Sequence, residues 1–549
     1  GRYQQGVLPS HLQPSPVRGA FVQRLAACWR GDPDVAVWCR DADIRPRIAP
    51  RDDGASLQLT EAQSVGVTRV IRVARGHARR PLVLTADRGR GKSTLLGVAL
   101  ARLLLAGFPR ITVVAPHAKA VETLLRHGGD QAGITRVGAS ELACGEARLF
   151  VRSPEQCLAD DAPEPGLVIV DEAASLSLGV LRELLDRSNR LVFATTEQGY
   201  EGSGRGFALR FERLLRAEMP QFQRMSLKHP IRWSADDPLE RLMNDSLLLN
   251  ADLVEITPGR QPIRIELIGH TRLSRDEDLL RAVFGLLVSA HYQTRPSDLR
   301  RLLDDPQWRL WVAFRDGQLL GVLLAANEGG FDPTLQAEIL AGRRRPRGHL
   351  LPQSLSVHAG LDTALAKRLL RVVRIAVHPD AQRQGLGTEL VDFASRWAQQ
   401  HGVDAIGCAY GLDDDLLAFW SSLGLQPARL GLRIDPASAA HTLFMLKGLS
   451  ASGQELATEA AQRFRADLPW ALGDALSGVP PVTALALLRG RDCADLRLDD
   501  CDWRVIQRLA AHARDPATAA SVLWRCLVCE GARSASSDLA PLLARQVQH

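Results

Sequence analysis

The sequence predicts an α/β protein: a parallel sheet covered by helices on both faces, then a second α/β region, then a helical C-terminal segment. Three observations carry this. Between residues 59 and 196, short runs of apolar residues alternate with helical stretches, the pattern of parallel strands joined by helical crossovers. Two glycine-rich turns, "ADRGRGKS" (86–93) and "QRQGLG" (382–387), each stand between an apolar run and a helical stretch. From about residue 450 the chain is rich in Ala, Leu and Arg at helical period.

With 549 residues, 46% hydrophobic and 24% charged, the chain has the make-up of a globular protein of several domains. No apolar run reaches the roughly 18 to 20 residues that a membrane helix needs; the longest, over 95–108, is interrupted by Arg102. A secretory signal pattern is lacking, and the nine cysteines show no disulfide-framework spacing, so a reducing, cytoplasmic setting without a membrane partner is expected. Cys493, Cys501, Cys526 and Cys529 have the elements of a zinc set, but "SVLWRCLVCE" also reads as an apolar helix face with buried thiols, the more common use of free cysteine. A net charge of +6, from 68 basic and 62 acidic residues, is too modest to mark a nucleic-acid binder by itself.

Taken in order, residues 1–55 hold two short hydrophobic pieces and a Pro/Arg/Asp-rich connector, the end of an N-terminal domain. Residues 56–255 carry strands expected at 82–86, 111–116, 147–151, 167–173 and 190–196. Near "LVEITPGRQP" (253–262) the pattern changes. Residues 256–448 then give a helical stretch over 274–303, two strands split by a turn in "RLWVAFRDGQLLGVLLAANEG", an arginine-rich loop and the strand "RVVRIAVHP". Residues 449–549 form the helical segment, broken at Pro480 and Pro481. No internal repeat is present.

The turn "ADRGRGKS" fits the phosphate loop except that Ala86 replaces the first glycine. Backbone N–H groups of Ala86, Asp87, Arg88, Gly89, Arg90 and Gly91 would wrap the phosphates, Lys92 would add positive charge, and Ser93, followed by Thr94, would place a hydroxyl on Mg²⁺. Downstream, "LVIVDEAA" ends a buried strand in Asp171 and Glu172. These carboxylates suit Mg²⁺ binding by Asp171 and polarisation of the attacking water by Glu172; the plain alternative is that both cap the next helix. The pairing points to ATP binding and hydrolysis in a RecA-like domain.

That domain resembles the superfamily-two, RNA-dependent ATPases. The resemblance implies that Gln63 in "LTEAQ" reads adenine, that Thr195 and Thr196 couple hydrolysis to RNA movement, and that Arg232 in "HPIRW" stabilises the terminal phosphate. Surface or capping roles are the alternatives for each. Only one set of ATPase strands precedes residue 255, so an ATP-driven clamp or switch is expected rather than a directional helicase.

The turn "QRQGLG" follows "RVVRIAVHPDA" and lacks a lysine or a metal-binding carboxylate. Gln382, Arg383, Gln384, Gly385, Leu386, Gly387 and Thr388 would hold a pyrophosphate on backbone N–H groups and the positive end of a helix. With the following "AIGCAY" and "DDLLAFWSSLGLQPARLG", this region resembles the GNAT acetyltransferases. The resemblance implies acetyl-CoA, with Ile375, Ala376 and Val377 along the acyl arm offering backbone donors to the acetyl oxygen. Where many GNAT enzymes carry a proton-donating tyrosine, Phe419 and Trp420 stand instead. His378 is therefore the candidate for proton transfer, with a plain turn role before Pro379 as the alternative; Asp415 either binds the cofactor or caps its helix.

A phosphate-loop ATPase followed by a GNAT domain resembles the bacterial tRNA-Met cytidine acetyltransferase family, from about Leu59 onward. Its specific pieces are "RGRGKST", "DEAA", "GYEGSGRGF" (199–207), "IRW", "RRRPRGHLLPQSL" (343–355) and "RIAVHPDAQRQGLG". The resemblance implies acetylation of the exocyclic amine of the wobble cytidine in elongator tRNA-Met, driven by ATP, with tRNA as partner and a monomer favoured. Arg343, Arg344, Arg345 and Arg347 would guide the polyanion toward the thioester, unless they are only a solvated charge run. The C-terminal helices would grip the tRNA. A protein or small-molecule N-acetyltransferase with an ATPase regulator, or an RNA-remodelling ATPase whose GNAT part only binds cofactor, are the competing readings.

Overall fold

The computed structural model describes residues 19–35, 59–115, 121–159, 166–176, 178–196, 211–212, 214–259, 261–290, 296–435, 440–473 and 475–488. The glycine-rich 199–207 segment, the connector over 36–55, and residues 489–549 with their cysteine group lie outside them. The chain divides into two compact units: Gly1–Pro306 with Val312–Val322 and Arg374–Gln382, and Gln307–Trp311 with Leu323–Val373 and Arg383–His549.

In the first part of the chain the elements run α1 (Ala20–Gly31), α2 (Glu61–Arg75), β1 (Leu82–Ala86), α3 (Lys92–Leu105), β2 (Arg110–Val114), α4 (Glu122–Gly129), β3 (Thr135–Arg136), β4 (Glu141–Cys144), β5 (Ala147–Arg152), α5 (Pro154–Ala159), β6 (Leu167–Val170), α6 (Leu178–Arg187), β7 (Leu191–Thr195), β8 (Gln223–Leu227) and α7 (Pro238–Leu247). The strands form one eight-stranded sheet in the order β3-β4-β5-β2-β6-β7-β1-β8. From β5 to β8 every pairing is parallel. The expected all-parallel sheet differs at its edge, where β3 and β4 add an antiparallel hairpin. That hairpin is short, and β3 is exposed, so no apolar alternation announces it.

The apolar runs are strands because both of their faces are covered. Leu82, Leu84, Ile111, Val113, Ile169, Val192 and Ala194 enter one core cluster with α2, α3 and α4, while Val83, Val114, Val168, Val170, Leu191 and Phe193 enter another with α6. Successive residues alternating between two cores is the period of two that a doubly covered strand imposes. The catalytic-looking residues follow β1, β6 and β7, at the carboxyl ends of parallel strands, where α/β sheets bind ligands.

The chain continues with β9 (Arg264–Ile268), α8 (His270–Arg275), α9 (Glu277–Ala290), α10 (Pro296–Asp304), β10 (Trp308–Arg315), β11 (Gln318–Gly329), α11 (Pro333–Leu340), α12 (Leu350–Gln353), β12 (Arg368–Val377), α13 (Leu386–Gln400), β13 (Ala405–Gly411), α14 (Asp414–Ser422), β14 (Gln426–Asp435), β15 (Ala440–Gly448), α15 (Ala451–Leu472) and α16 (Pro481–Leu488). Its sheet has seven strands in the order β14-β15-β13-β12-β11-β10-β9. Within the second unit, Trp397 of α13 meets the fully buried Trp311 edge-on at 5.5 Å between ring centroids. Leu456, Ala457 and Ala460 of α15 pack on Ala405, Phe444 and Leu446 of the sheet.

Asp404 fastens the start of α15. Its carboxylate accepts from Arg368 N–H at 2.9 Å, Ser450 Oγ at 2.8 Å and Ser452 Oγ at 2.9 Å. Burial pushes its pKa up, but these donors outweigh it and hold the pKa below the usual carboxylate value. Among the described residues, no helix is long and apolar enough to cross a membrane.

Candidate functional site

After β1 the chain turns through Gly89 (φ 83°) and Gly91 (φ 75°), both in the left-handed region that glycine enters without strain. Gly91 is the N-cap of α3 and brings no side chain to it, so the first N–H groups of the helix face the turn uncapped. This is the construction of an anion site. Lys92, Ser93 and Thr94 form the helix's first turn.

Lys92 is 8% exposed, and its Nζ lies 2.6 Å from Glu172 Oε1 and 3.3 Å from Asp171 Oδ1. Burial works against its charge, but the two carboxylates outweigh it and raise its pKa. Asp171 is itself buried directly after β6, and Glu172 adopts φ 50°, an unusual conformation for a non-glycine residue. Thr196 Oγ1 donates to Glu172 at 3.2 Å, while the buried Thr195 Oγ1 has no hydrogen-bond partner among the described residues. The structure thus brings Lys92, Asp171, Glu172 and Thr196 together; Ser93 and Thr94 stand half-buried beside them.

The roof of this loop is a feature the sequence reading did not find. Ile231 N–H donates to Gly89 O at 2.9 Å. A Cβ on Gly89 would stand 2.5 Å from the Trp233 ring, so the indole rests on the bare glycine. Glu240, in the first turn of α7, accepts from Trp233 Nε1 at 2.6 Å and from Arg90 Nη2 at 2.7 Å and Nη1 at 3.2 Å. The quoted "IRW" is therefore a strap across the phosphate loop, with exposed Arg232 between its two anchoring residues.

Gln63 has a different job from the expected reading of adenine. Buried at 2% exposure, it accepts from Thr60 N–H through Oε1 at 3.0 Å and donates from Nε2 to Gly91 O at 3.3 Å. Thr60 Oγ1 reciprocates to Gln63 N–H at 3.2 Å. The amide is spent on a capping box and on bracing the phosphate loop, the capping alternative.

The second turn follows β12. Parallel pairing between β12 and β13 covers Leu369–Val372 and Ala405–Cys408, yet both strands run on, β12 to Val377 and β13 to Gly411. Ile375, Ala376 and Val377, at the end of β12, lie beyond that paired stretch. Arg383 takes φ 58° and Gly385 φ 84°, and Gly385 is an N-cap without a side chain at the start of α13. Gln382, Arg383, Gln384 and Gly385 are exposed, Leu386 is buried, and Gly387 and Thr388 are half-buried. Gln382 Nε2 donates to Val377 O at 3.0 Å and closes the turn. Among the described residues, nothing lies within 4 Å of an added Cβ at Gly385.

Two further expectations are corrected. His378 is 3% exposed; its Nδ1 accepts from Asp380 N–H at 3.2 Å and its Nε2 donates to Val254 O at 3.1 Å. Both ring nitrogens are engaged, so no lone pair remains for a substrate proton, and His378 is a capping residue of the turn. Asp413, not Asp415, caps α14, accepting from Leu416 N–H at 3.0 Å; Asp415 is exposed in the first helical turn.

Tyr410, passed over by the sequence reading, lies near the end of β13, past its pairing with β12 but still paired with Leu443 of β15; it is half-buried, with its hydroxyl donating to Met445 Sδ at 3.0 Å. Burial, helped by Cys408 and Asp413, raises its pKa, so the hydroxyl keeps its proton at neutral pH. Its signal was the tyrosine at the end of "AIGCAY". In the arginine loop, Arg343 pairs with Glu338 at 2.7 Å, while Arg344, Arg345 and Arg347 are exposed.

Comparison with known families gives the class, an acetyltransferase joined to a helicase-type domain. Residues 83–250 match the family described as RNA cytidine acetyltransferase NAT10/TcmA, helicase domain, and residues 282–405 match GNAT acetyltransferase 2. The chain is 41% identical over 536 residues to the tRNA(Met) cytidine acetyltransferase TmcA of Nitrosococcus halophilus, covering 94% of this chain and 72% of that protein. It is 38% identical over 446 residues to the Vibrio cholerae protein of the same name, covering 80% of this chain and 62% of that one. A solved structure, the ribosomal-protein-S18-alanine N-acetyltransferase of Escherichia coli, aligns over 34% of this chain and 95% of its own at 15% identity, with a TM-score of 0.24. The chain belongs to the tRNA(Met) cytidine acetyltransferase family.

Proposed function

We propose that this protein transfers the acetyl group of acetyl-CoA to the exocyclic amine of the wobble cytidine of elongator tRNA(Met), driven by ATP hydrolysis. The observation that carries this reading is the presence of two differently equipped phosphate turns in one chain of this family. The domain limits 1–55, 56–255, 256–448 and 449–549, a cytoplasmic location and a monomeric state are part of the same reading.

In the first turn, the N–H groups at the start of α3 and Lys92 bind the phosphates of ATP. Lys92 is held on Asp171 and Glu172, and an arriving polyphosphate competes for it. Among the described residues no cluster of three His, Cys, Asp or Glu is built to hold a metal. Ser93 and Asp171 nevertheless fit Mg²⁺, which takes one or two protein oxygens and completes its shell with substrate phosphates and water. Mg²⁺ would supply charge neutralisation on those phosphates. Glu172 then orients the attacking water, and Arg232 contacts the terminal phosphate.

In the second turn, residues Gln382 to Thr388 hold the pyrophosphate of coenzyme A, and Ile375 to Val377 hold its arm by backbone hydrogen bonds. The cytosine amine is a poor nucleophile because its lone pair is delocalised into the ring, so positioning supplies much of the rate. A C–N bond forms and the thioester C–S bond breaks; the amine nitrogen gives up one proton to solvent water, and the departing thiolate takes one. Tyr410, protonated at neutral pH, is the candidate donor once its hydroxyl leaves Met445 Sδ. A Tyr410→Phe variant with unchanged kcat for acetyl transfer would remove it from this role. Arg344, Arg345 and Arg347 attract the RNA backbone. The target base lies in an anticodon loop and must be splayed out, which is the work left for ATP, since the thioester already drives acyl transfer.

Mass spectrometry of nucleosides from tRNA incubated with protein, acetyl-CoA and ATP tests the reading. N4-acetylcytidine at the wobble position, formed with ATP and not with a non-hydrolysable analogue, is expected. Acetylated lysine peptides without modified RNA would establish the protein-acetyltransferase alternative instead.

A further inference from the structure

Helix α1 belongs to neither phosphate turn, yet its charged contacts reach toward both. Arg24, 7% exposed, gives Nε to Glu277 Oε2 at 2.8 Å and Nη2 to Glu277 Oε1 at 2.6 Å, a fork on the first turn of α9. The same guanidinium donates to the main-chain oxygens of Ser246 and, at 3.3 Å, Asp245, in the last turn of α7. One nearly buried cation thus joins a helix C-terminus to a carboxylate, and both contacts are charge-assisted.

The ends of α1 are held as well. At its start, Phe21 N–H donates to Asp304 Oδ1 at 3.1 Å, so the last residue of α10 caps α1, whose own N-cap, Gly19, has no side chain. At its end, Asp32 accepts from Arg241 of α7 at 2.7 Å and 3.0 Å, and Asp34 accepts from the same guanidinium at 2.8 Å.

From these anchors the contacts continue outward. Arg241 follows Glu240, which holds Arg90 and Trp233 over the phosphate loop. Asp298 of α10 pairs with Arg374 at 2.8 Å, and Arg374 immediately precedes Ile375 in the acyl strand. All of these residues belong to one compact unit.

We propose that α1 transmits the nucleotide state of the phosphate loop to the acyl strand, with Arg24 as the positioning residue at its centre. When ATP draws Arg90 or its neighbours from their resting contacts, Glu240 loses a partner. A rigid helix pinned by Arg241 at one end and by Asp304 at the other passes that change to α10 and Arg374. Side chains in packed, charge-paired contacts have discrete arrangements, which a coupling route needs.

This inference rests on the reading that ATP hydrolysis drives acetylation. If the unaltered protein acetylates tRNA equally well without ATP, that reading fails before any variant is compared. Replacing Arg24 itself risks unfolding, so the half-exposed partners are used: Glu277→Gln and Arg241→Gln. The ratio of acetyl groups transferred to ATP hydrolysed is measured, with melting temperature and acetyl-CoA affinity alongside.

Each variant is expected to keep its ATP turnover and acetyl-CoA affinity while the ratio falls about tenfold, the scale of a typical coupling free energy. The double variant is expected to be no worse than the more severe single one, because both act on one route. An unchanged ratio overturns the proposal. So does a parallel fall of both activities with melting temperature, which marks a structural role only.

Discussion

The two glycine turns share a plan and differ in their surroundings. Each ends a strand, places a left-handed glycine at a helix N-terminus and leaves the first N–H groups without a side-chain cap. At Gly89 and Gly91, however, an added Cβ would stand within 2.5 Å of Trp233 and 2.3 Å of Ile231, whereas at Gly385 it would meet nothing within 4 Å among the described residues. The first turn holds a buried lysine already paired with two carboxylates, and the second has no such group. On the function proposed above, the crowded turn exchanges partners when a phosphate arrives, and the open turn receives and holds.

The largest expected effect removes the exchange. In Lys92→Ala, ATP hydrolysis falls by about 10³-fold, in line with losing a preorganised charge from a transition state. Binding of acetyl-CoA, followed by calorimetry, stays as it was. The variant also leaves the buried Asp171 without its cation, so a melting curve must accompany the rates. A variant that still hydrolyses ATP at the normal rate breaks the contrast.

The converse change, Gly385→Glu, puts a carboxylate into the turn proposed to hold the pyrophosphate. Repulsion and the strain of φ 84° act together, and acetyl-CoA affinity should drop by about 10²-fold while ATP hydrolysis holds. Equal loss of both activities would show that the two turns are not separate devices.

A smaller effect tests the strap. Glu240→Gln weakens the fork on Arg90 and keeps an acceptor for Trp233. Hydrogen bonds to charged groups contribute about 1.5–3 kcal/mol, and ATP no longer has to draw Arg90 from the full fork, so KM for ATP should fall about tenfold with kcat little changed. An unaltered KM would make the strap mere packing.

How much of this was legible in the sequence follows from the range of the interactions. The strands, the turns and the helix starts were legible because they depend on neighbours: apolar runs of strand length and glycines at left-handed caps. Gln63 was legible too, as the fourth residue of Thr60-x-x-Gln63, a capping box signature, though resemblance suggested adenine instead. Trp233 and Glu240 were not legible as loop partners, because β8 and the following turn bring them to Gly89 from far along the chain. The engaged state of His378 depends on the carbonyl of Val254, which no local pattern announces.

The smallest expected effect is the most direct measure of the contrast, because it places the same methyl group in both turns. Gly385→Ala and Gly89→Ala each force alanine to a positive φ, which costs about 1–2 kcal/mol. At Gly385 nothing else among the described residues opposes the methyl, so KM for acetyl-CoA should rise at most by the strain alone, about 5- to 30-fold. At Gly89 the methyl meets the Trp233 ring, which is held by Glu240 and cannot simply turn away, so the same strain adds to a collision. KM for ATP should therefore rise more than KM for acetyl-CoA does in the other variant. Adding Trp233→Ala should recover the part of the loss due to collision and leave the part due to strain. If the two alanine variants lose equally, the roof over the first turn has no hold on the loop, and the difference between the cradles reduces to the lysine.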